Sequence, residues 1–343
     1  MKQTQQEVKR LKALDVLRDD IILFGKTVTP RTFYLETPPV HREIEALFLN
    51  EKLRQLNIIA PRGIAKTSLV TVFALHHVFF GDEGEKMVAI TSKTQAHAKA
   101  ILATIKNIID FSPGFRKLFG YHGEQVAKVW REEMIVLDNG STLVARGVGQ
   151  PIRGVMRNLQ RPTLVVVDDP EDENNTKTVE AMDSNLGWIL KAASPSKDTL
   201  RGRIIVIGTP LHERCIVMTL TGISDWTTIH FGNDRESGLA LWPESLPLEE
   251  LHSKYNALKD AGFVRMYYQE YECKLIPGED ALFKKEYCQY YDEKAYINHI
   301  GDDPYLKFSN GNMVPVNVYM GIDPASSVSN TADYSTIVPV AVT

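Results

Sequence analysis

Two short stretches carry groups that could act together on a polyphosphate. The first, Ala60-Pro61-Arg62-Gly63-Ile64-Ala65-Lys66-Thr67-Ser68, lies between the apolar run Ile58-Ile59 and the apolar run Leu69 to Leu75. That order reads as strand, tight loop, helix. In such a loop the backbone N–H groups and the helix N-terminus cradle phosphates, a lysine reaches the outer ones, and a Thr or Ser hydroxyl completes the shell of a Mg²⁺ ion. Arg62, Gly63, Ile64, Ala65 and Ser68 belong to that cradle, with Lys66 and Thr67 where the charge and the hydroxyl are needed. The usual spacing G-x-x-x-x-G-K-S/T fails at both glycines, which here are Ala60 and Ala65,. On this stretch alone an ordinary strand-to-helix connection stays open.

The second stretch is Thr163-Leu164-Val165-Val166-Val167-Asp168-Asp169, a β-branched apolar run that ends in two adjacent carboxylates. It reads as a buried parallel strand delivering acids to its C-terminal end, where doubly wound sheets place their ligands. Asp168 is the candidate to hold Mg²⁺ through its water shell, and Asp169 to orient or deprotonate an attacking water. A further strand, Arg203 to Ile207, ends in Gly208-Thr209-Pro210. One helical stretch separates it from the carboxylates, which places it beside the Asp168 strand in the same sheet. Thr209 there could sense a γ-phosphate, and a plain strand-terminating turn is the local alternative.

The elements around these stretches follow from periodicity and turn residues. Val8, Leu11, Leu14, Leu17 and Ile21 recur at helical spacing, so an amphipathic N-terminal helix packed on the core is expected,. Thr37-Pro38-Pro39-Val40-His41 breaks the chain before a second helix near 42–50. His76-His77 sit on the apolar helix after the phosphate loop and read as packing or capping residues. Met134 to Leu137, Asp138-Asn139-Gly140 and Ser141 to Ala145 form a hairpin signature leading into a loop from Arg146 to Gly154,. Arg153 on that loop is a candidate arginine finger for a neighbouring subunit's nucleotide, with Arg62 as the rival supplied in cis and a surface role open for each. From about Pro243 a polar helical pattern takes over, and a new domain begins at Val316 to Met320.

In this order the fragments resemble the large terminase subunit of tailed bacteriophages, with the phosphate loop Arg62 to Thr67 most like that of the short-tailed T7-like branch. Arg62 to Thr67 resembles the family's deviant phosphate loop, and Ala89 to Ala98 its second motif. Arg146 to Gly154 resembles the arginine-bearing loop, Asp168-Asp169-Pro170-Glu171 the acidic motif, and Gly208-Thr209-Pro210 the coupling motif. Leu241-Trp242-Pro243-Glu244 and Tyr268-Gln269-Glu270-Tyr271 resemble its linker region, and Gly321-Ile322-Asp323-Pro324-Ala325 with Asp333-Tyr334-Ser335 the opening of its RNase H-like nuclease. The family's acidic motif commonly ends Asp-Glu, so Asp169 is favoured as the catalytic carboxylate and Glu171 is the rival.

The resemblance implies an α/β fold: a P-loop NTPase with a mostly parallel central sheet flanked by helices, over 1–240. It implies a helical linker subdomain over 241–310 and the beginning of an RNase H-like domain over 311–343. It implies ATP and Mg²⁺ as cofactors, His41 and Arg42 near the adenine, and Asp323 as the first carboxylate of a nuclease metal site. The implied partners are double-stranded DNA, the portal protein of the procapsid, the small terminase subunit and further copies in a homo-oligomeric ring. The implied location is the host cytoplasm, transiently at the portal. Several carboxylates from different strands are needed to hold two metal ions, and of the set that the resemblance implies only the first, Asp323, is available before Thr343,. The chain is therefore read as a piece of a longer protein that hydrolyses ATP without cutting DNA.

Composition is neutral on this reading. At 343 residues and a net charge of -4 the chain has room for about two domains and no global basic signature for DNA,. Three cysteines without C-x-x-C spacing suggest reduced thiols and no structural zinc, and no apolar run suggests secretion or a membrane,. A nucleotide-dependent switch, or a DNA-binding assembly protein with a degenerate loop, uses the same residues; DNA-stimulated ATP turnover separates both from a motor.

Overall fold

A computed structural model describes residues 5–81, 85–152, 161–276, 296–300, 303–307, 311–323 and 336–342. The chain divides into two compact units, Met1–Ile276 and Pro277–Thr343.

The first unit is built on an eight-stranded sheet. Its strands are β1 (Gln55–Ile59), β2 (Met87–Ser92), β3 (Val129–Trp130), β4 (Met134–Val136), β5 (Thr142–Gly147), β6 (Leu164–Asp168), β7 (Arg203–Gly208) and β8 (Thr227–His230). Their order across the sheet is β3-β4-β5-β2-β6-β7-β1-β8. From β5 to β8 every pairing is parallel, and β3 and β4 add an antiparallel edge. One strand, β7, thus stands between the strand before the phosphate loop and the strand that ends in the acids.

Both faces of this sheet are covered, as a parallel sheet requires. Alternate residues feed opposite cores, because successive side chains on a strand point to opposite faces. On β6, Leu164 and Val166 join one buried cluster while Val165 and Val167 join the other; on β7, Ile205 and Ile207 oppose Ile204 and Val206. The first cluster is closed by α2 (Ile21–Val28), α3 (Pro39–Leu49), α4 (Lys66–Phe80) and α5 (Gln95–Phe111). The second is closed by Trp188, Ile189, Ile216 and Val217, which follow the acidic strand and the Thr209 turn. The expected α/β sandwich, with β7 beside β6, is what forms.

The hairpin read from Asp138-Asn139-Gly140 is present, with Gly140 at φ 89° and the Leu137 N–H donating to Ser141 O at 2.9 Å. At the N-terminus the expectation of one core-packed helix is corrected. The span breaks into α1 (Gln5–Arg18) and α2, with Asp20 capping α2 by accepting the Leu23 N–H at 2.6 Å. Val8 and Leu11 are exposed, and packing begins only at Ala13 and Leu14. The apolar period is real, but no second surface covers its first turns.

His76 and His77 serve packing, as their place on an apolar helix suggested. His76 Nε2 donates to Leu17 O at 3.0 Å, and His77 Nε2 lies 3.0 Å from Thr163 Oγ1. Burial pushes both rings below the usual imidazole range, His77 to about 3. The folded protein therefore keeps these rings neutral while the unfolded chain protonates them as pH falls through 6.5. Their stabilising contribution is complete above that pH and is lost as the pH drops, by about 1 kcal/mol for His77 at pH 5.5,. Urea midpoints at pH 7.5 and 5.5 should show the loss, and His77→Gln should reduce it.

Beyond the sheet, Leu246, Leu251 and Tyr267 form a small separate core under the helix Leu248–Asp260, joined by Tyr255, Leu258, Tyr268 and Tyr271. Phe263, just past the end of that helix, is exposed. In the second unit, Tyr296–Ile300, Asp303–Lys307 and Met313–Pro315 make a three-stranded antiparallel sheet, and Asn317–Asp323 pairs antiparallel with Thr336–Val342. Among the described residues no helix is long and apolar enough to cross a membrane.

Candidate active site

The loop from Ala60 to Ala65 turns the chain from β1 into α4 through two left-handed residues, Gly63 at φ 91° and Ala65 at φ 56°. Ala65 occupies the helix N-cap without a side-chain cap. The position that the consensus gives to glycine keeps its glycine-like backbone here, at a cost of about 1–2 kcal/mol for the β-carbon. The departure at Ala65 therefore changes the strain in the loop and leaves its path intact.

Lys66 opens α4 and turns its side chain back under the loop. Its Nζ donates to Pro61 O at 3.1 Å, Ala60 O at 3.3 Å and Thr209 Oγ1 at 2.8 Å, and lies 3.7 Å from Asp169 Oδ1. Thr209 Oγ1 in turn donates to Ala60 O at 3.0 Å. The lysine and the threonine at the end of β7 are thus joined directly.

Thr67 donates its hydroxyl to Asp168 Oδ2 at 2.8 Å, while Asp168 Oδ1 is buried with no hydrogen-bond partner. Burial, then repulsion from Asp169, pushes the Asp168 carboxyl up to about 7, against the pull of Thr67 and Lys66. A buried carboxylate oxygen with an unused lone pair beside a hydroxyl suits a hard cation. Among the described residues no three His, Cys, Asp or Glu side chains converge to cage an ion. An ion here would take most of its ligands from phosphate and water.

Asp169 has a positive φ of 40°, so the chain bends sharply just past the sheet. Its N–H donates to Ile207 O at 2.9 Å and its carbonyl accepts from Lys93 N at 3.3 Å, which pins the bend between the ends of β7 and β2. Its carboxylate is half-exposed and faces Lys66. Glu171 is turned to other work. Its Oε2 accepts the Ile216 N–H at 2.6 Å and its Oε1 accepts from Asn185 Nδ2 at 3.4 Å, and burial raises its carboxyl to about 7.

These groups line a cleft of about 640 Å³ with Arg62, Lys93, His97, Asp172 and Glu270 among its walls. Arg62 is largely exposed and pairs with Glu270 through its Nη2 at 3.0 Å, and its backbone N–H donates to Glu270 O at 2.7 Å. Lys93 pairs with Asp172 at 3.4 Å. Glu270, Lys93 and Asp172 were not among the candidates read from the sequence. Each lay within or next to a stretch singled out there, but only tertiary contact joins them to Lys66.

His41 does not line this cleft. It is buried behind the loop, where Nε2 lies 2.9 Å from Ile64 O; since a carbonyl only accepts, that nitrogen carries the proton,. Its ring packs edge-on against Trp242 with centroids 4.6 Å apart, and burial lowers its pKa. Arg42 pairs with Asp20 at 2.9 Å and Glu45 at 2.7 Å, on the solvent side of α3. Ser68, in the first turn of α4, is half-buried. Arg153 lies outside the described residues; Asp323 ends its strand opposite Thr336 in the second unit. Of the cysteines, Cys215 and Cys273 are buried single thiols, and Cys288 lies outside the described residues.

With the geometry in hand, comparisons with known proteins give a consistent neighbourhood. No family model matches the chain. The large terminase subunit of Enterobacteria phage T3 is 24% identical over 208 residues, 60% of this chain. That alignment spans about a third of the phage T3 subunit, 32% of its length. A variant ATPase domain of the Thermus phage P74-26 large terminase superposes with a TM-score of 0.49 at 14% identity, covering 70% of this chain and 95% of that one. The large terminase of bacteriophage HK97 gives a TM-score of 0.47 at 12% identity, covering 70% of this chain and 51% of that one. Superpositions this loose add no weight to the fold, which rests on the strand order described above. The order of motifs along the chain and the match to the phage T3 subunit agree: the protein that this chain is similar to is a large terminase subunit of a tailed bacteriophage.

Proposed function

We propose that this chain hydrolyses ATP as part of a motor that drives double-stranded viral DNA into a procapsid, and that it falls in the T7-like branch of its relatives. The observation that carries the reading is the meeting of Lys66, Thr67, Asp168, Asp169 and Thr209 at the C-terminal edge of a parallel sheet, within hydrogen-bond or ion-pair distance of one another. Backbone N–H groups from Arg62 to Thr67 and the start of α4, with Ser68, receive the phosphates. Lys66 exchanges its carbonyl partners for the outer phosphate oxygens. Thr67 and Asp168 are the residues that would hold Mg²⁺, which when bound would offset negative charge on the phosphates. Asp169 orients the attacking water and takes its proton. Thr209, tied to Lys66, registers the loss of the γ-phosphate.

The domain reading goes with this function: an ATPase core over 1–240, a linker over 241–310 and the start of an RNase H-like nuclease over 311–343. In the last, Asp323 would serve a second divalent-metal site. The portal protein, the small terminase subunit and further copies in a ring at the portal, in the host cytoplasm, are the proposed partners and place. What supports the large-subunit reading is the match to a phage large terminase over about a third of its length, 32%; the domains, partners and place are proposed with it.

ATP turnover measured with and without double-stranded DNA and procapsids tests the reading. A motor is stimulated by them, a nucleotide switch turns over ATP without regard to DNA, and an assembly protein with a degenerate loop has no turnover.

The arginine is open to a separate test. If Arg153 serves a neighbouring subunit, Arg153→Ala protein and Lys66→Ala protein, each weak alone, should recover part of the hydrolysis when mixed on procapsids. An arginine acting in cis cannot be rescued that way. No recovery in demonstrated mixed assemblies would assign the finger to Arg62.

A further inference from the structure

Glu171 sits on the acidic turn, yet its contacts lead away from the phosphates. The Ile216 N–H that it accepts opens the short helix Ile216–Thr219, downstream of the Thr209 turn. Asn185, on the helix Val179–Trp188, donates the same amide nitrogen to Glu171 Oε1 and to Asn175 O, the latter at 3.0 Å. Asn175 closes the circuit: its Nδ2 donates to Pro170 O at 3.2 Å and its Oδ1 accepts the Asp172 N–H at 2.8 Å. Both carboxylate oxygens of Glu171 are therefore engaged by donors from two other segments. Each oxygen is aimed at its donor, Ile216 N–H or Asn185 Nδ2, and neither donor belongs to the phosphate loop or to Lys66.

We propose that Glu171 is a positioning residue whose carboxylate ties the acidic turn carrying Asp168 and Asp169 to the segment after Thr209, so that these two loops move as one body. The proposal rests on the ATPase reading above for its effect on turnover, and on the hydrogen bonds alone for the tie. Two donors from different segments meet on one carboxyl group, and a network of this type is expected to be non-additive when cut,. Loss of the γ-phosphate, felt at Thr209, is then transmitted to the turn that holds Asp169.

The test compares Glu171→Ala, Asn185→Ala and the double variant in ATP turnover, with amide exchange of the segments 168–176 and 208–217 measured with and without an ATP analogue and Mg²⁺. Glu171→Ala should lower kcat about 10- to 100-fold with KM changed less than about 2-fold, and the double variant should be no worse than Glu171→Ala alone. In the wild type the analogue should slow exchange in both segments; in Glu171→Ala it should slow only the acidic turn. Glu171→Gln, which keeps an acceptor for Ile216, supplies a milder variant if the alanine protein does not fold.

Turnover lost as completely as in Asp169→Asn, with both segments still protected together, would make Glu171 the base and overturn the proposal. Wild-type turnover and exchange in Glu171→Ala would reduce the carboxylate to a helix cap and overturn it as well. Should wild type and Lys66→Ala both lack turnover, the ATPase reading fails separately. The tie is then judged on nucleotide-free protein, where Glu171→Ala must speed exchange at Ile216 and across the acidic turn together.

Discussion

Replacing Lys66 with alanine should abolish ATP hydrolysis, by at least about 10²-fold in kcat, while the protein stays folded. The loss follows from removing the charge that meets the outer phosphates in the transition state. The fold should tolerate it because Ala60 O still accepts from Thr209 Oγ1, and because Lys66 and Thr209 line the cleft, whose water can fill the space that the side chain leaves,. Circular dichroism and thermal unfolding establish the fold, and phosphate release gives the rate. Unchanged turnover in a folded variant would mean that the loop from Arg62 to Thr67 does not bind the reacting phosphates.

The second large effect is expected at the acidic turn. Asp169→Asn should retain ATP binding and lose hydrolysis by about 10²- to 10⁴-fold, because the amide keeps the shape and loses the proton acceptor. Glu171→Gln should be milder, since Gln keeps one acceptor for the Ile216 N–H and the catalytic proton does not pass through this position. Nucleotide binding by fluorescence and single-turnover hydrolysis separate the two properties. If the order of the effects were reversed, the catalytic carboxylate would be Glu171, and the half-exposed Asp169 facing Lys66 would have an electrostatic role instead.

What could be read before folding and what could not divides along a physical line. The buried strands announced themselves because a parallel sheet covered on both faces needs continuous apolar runs, and Leu164 to Val167 and Ile204 to Ile207 are such runs,. The phosphate loop was legible as strand, loop, helix despite Ala60 and Ala65, because Lys66 and Thr67 are local signals. That Ala65 would still take the left-handed backbone was not legible, since the residue type argues against it,. Nor were the long-range pairs. Glu270 reaching Arg62, Asp172 reaching Lys93, and Glu171 reaching Ile216 and Asn185 join residues far apart in the chain, and only the packed fold brings them together.

His41 shows the same limit from the other side. The resemblance implies a place near the adenine for it; what the residues before the loop did not announce is the packing of its ring under Ile64 and against Trp242. The helical period from Val8 to Ile21 misled for a related reason: amphipathic spacing specifies a face but does not supply a surface to cover it,. Asp20, a good N-cap residue within that span, was the local signal for the break,.

The most direct measurement is a crystal structure of the protein with Mg²⁺ and a non-hydrolysable ATP analogue. The account predicts β- and γ-phosphates against the backbone from Arg62 to Thr67, with Lys66 Nζ released from Ala60 and Pro61 onto their oxygens. It also predicts an ion between Thr67 Oγ1 and the now unpartnered Oδ1 side of Asp168, with a water held by Asp169 in line with the γ-phosphate. A nucleotide bound elsewhere, or one bound here with Lys66 still on the loop carbonyls and no ion beside Asp168, would contradict it.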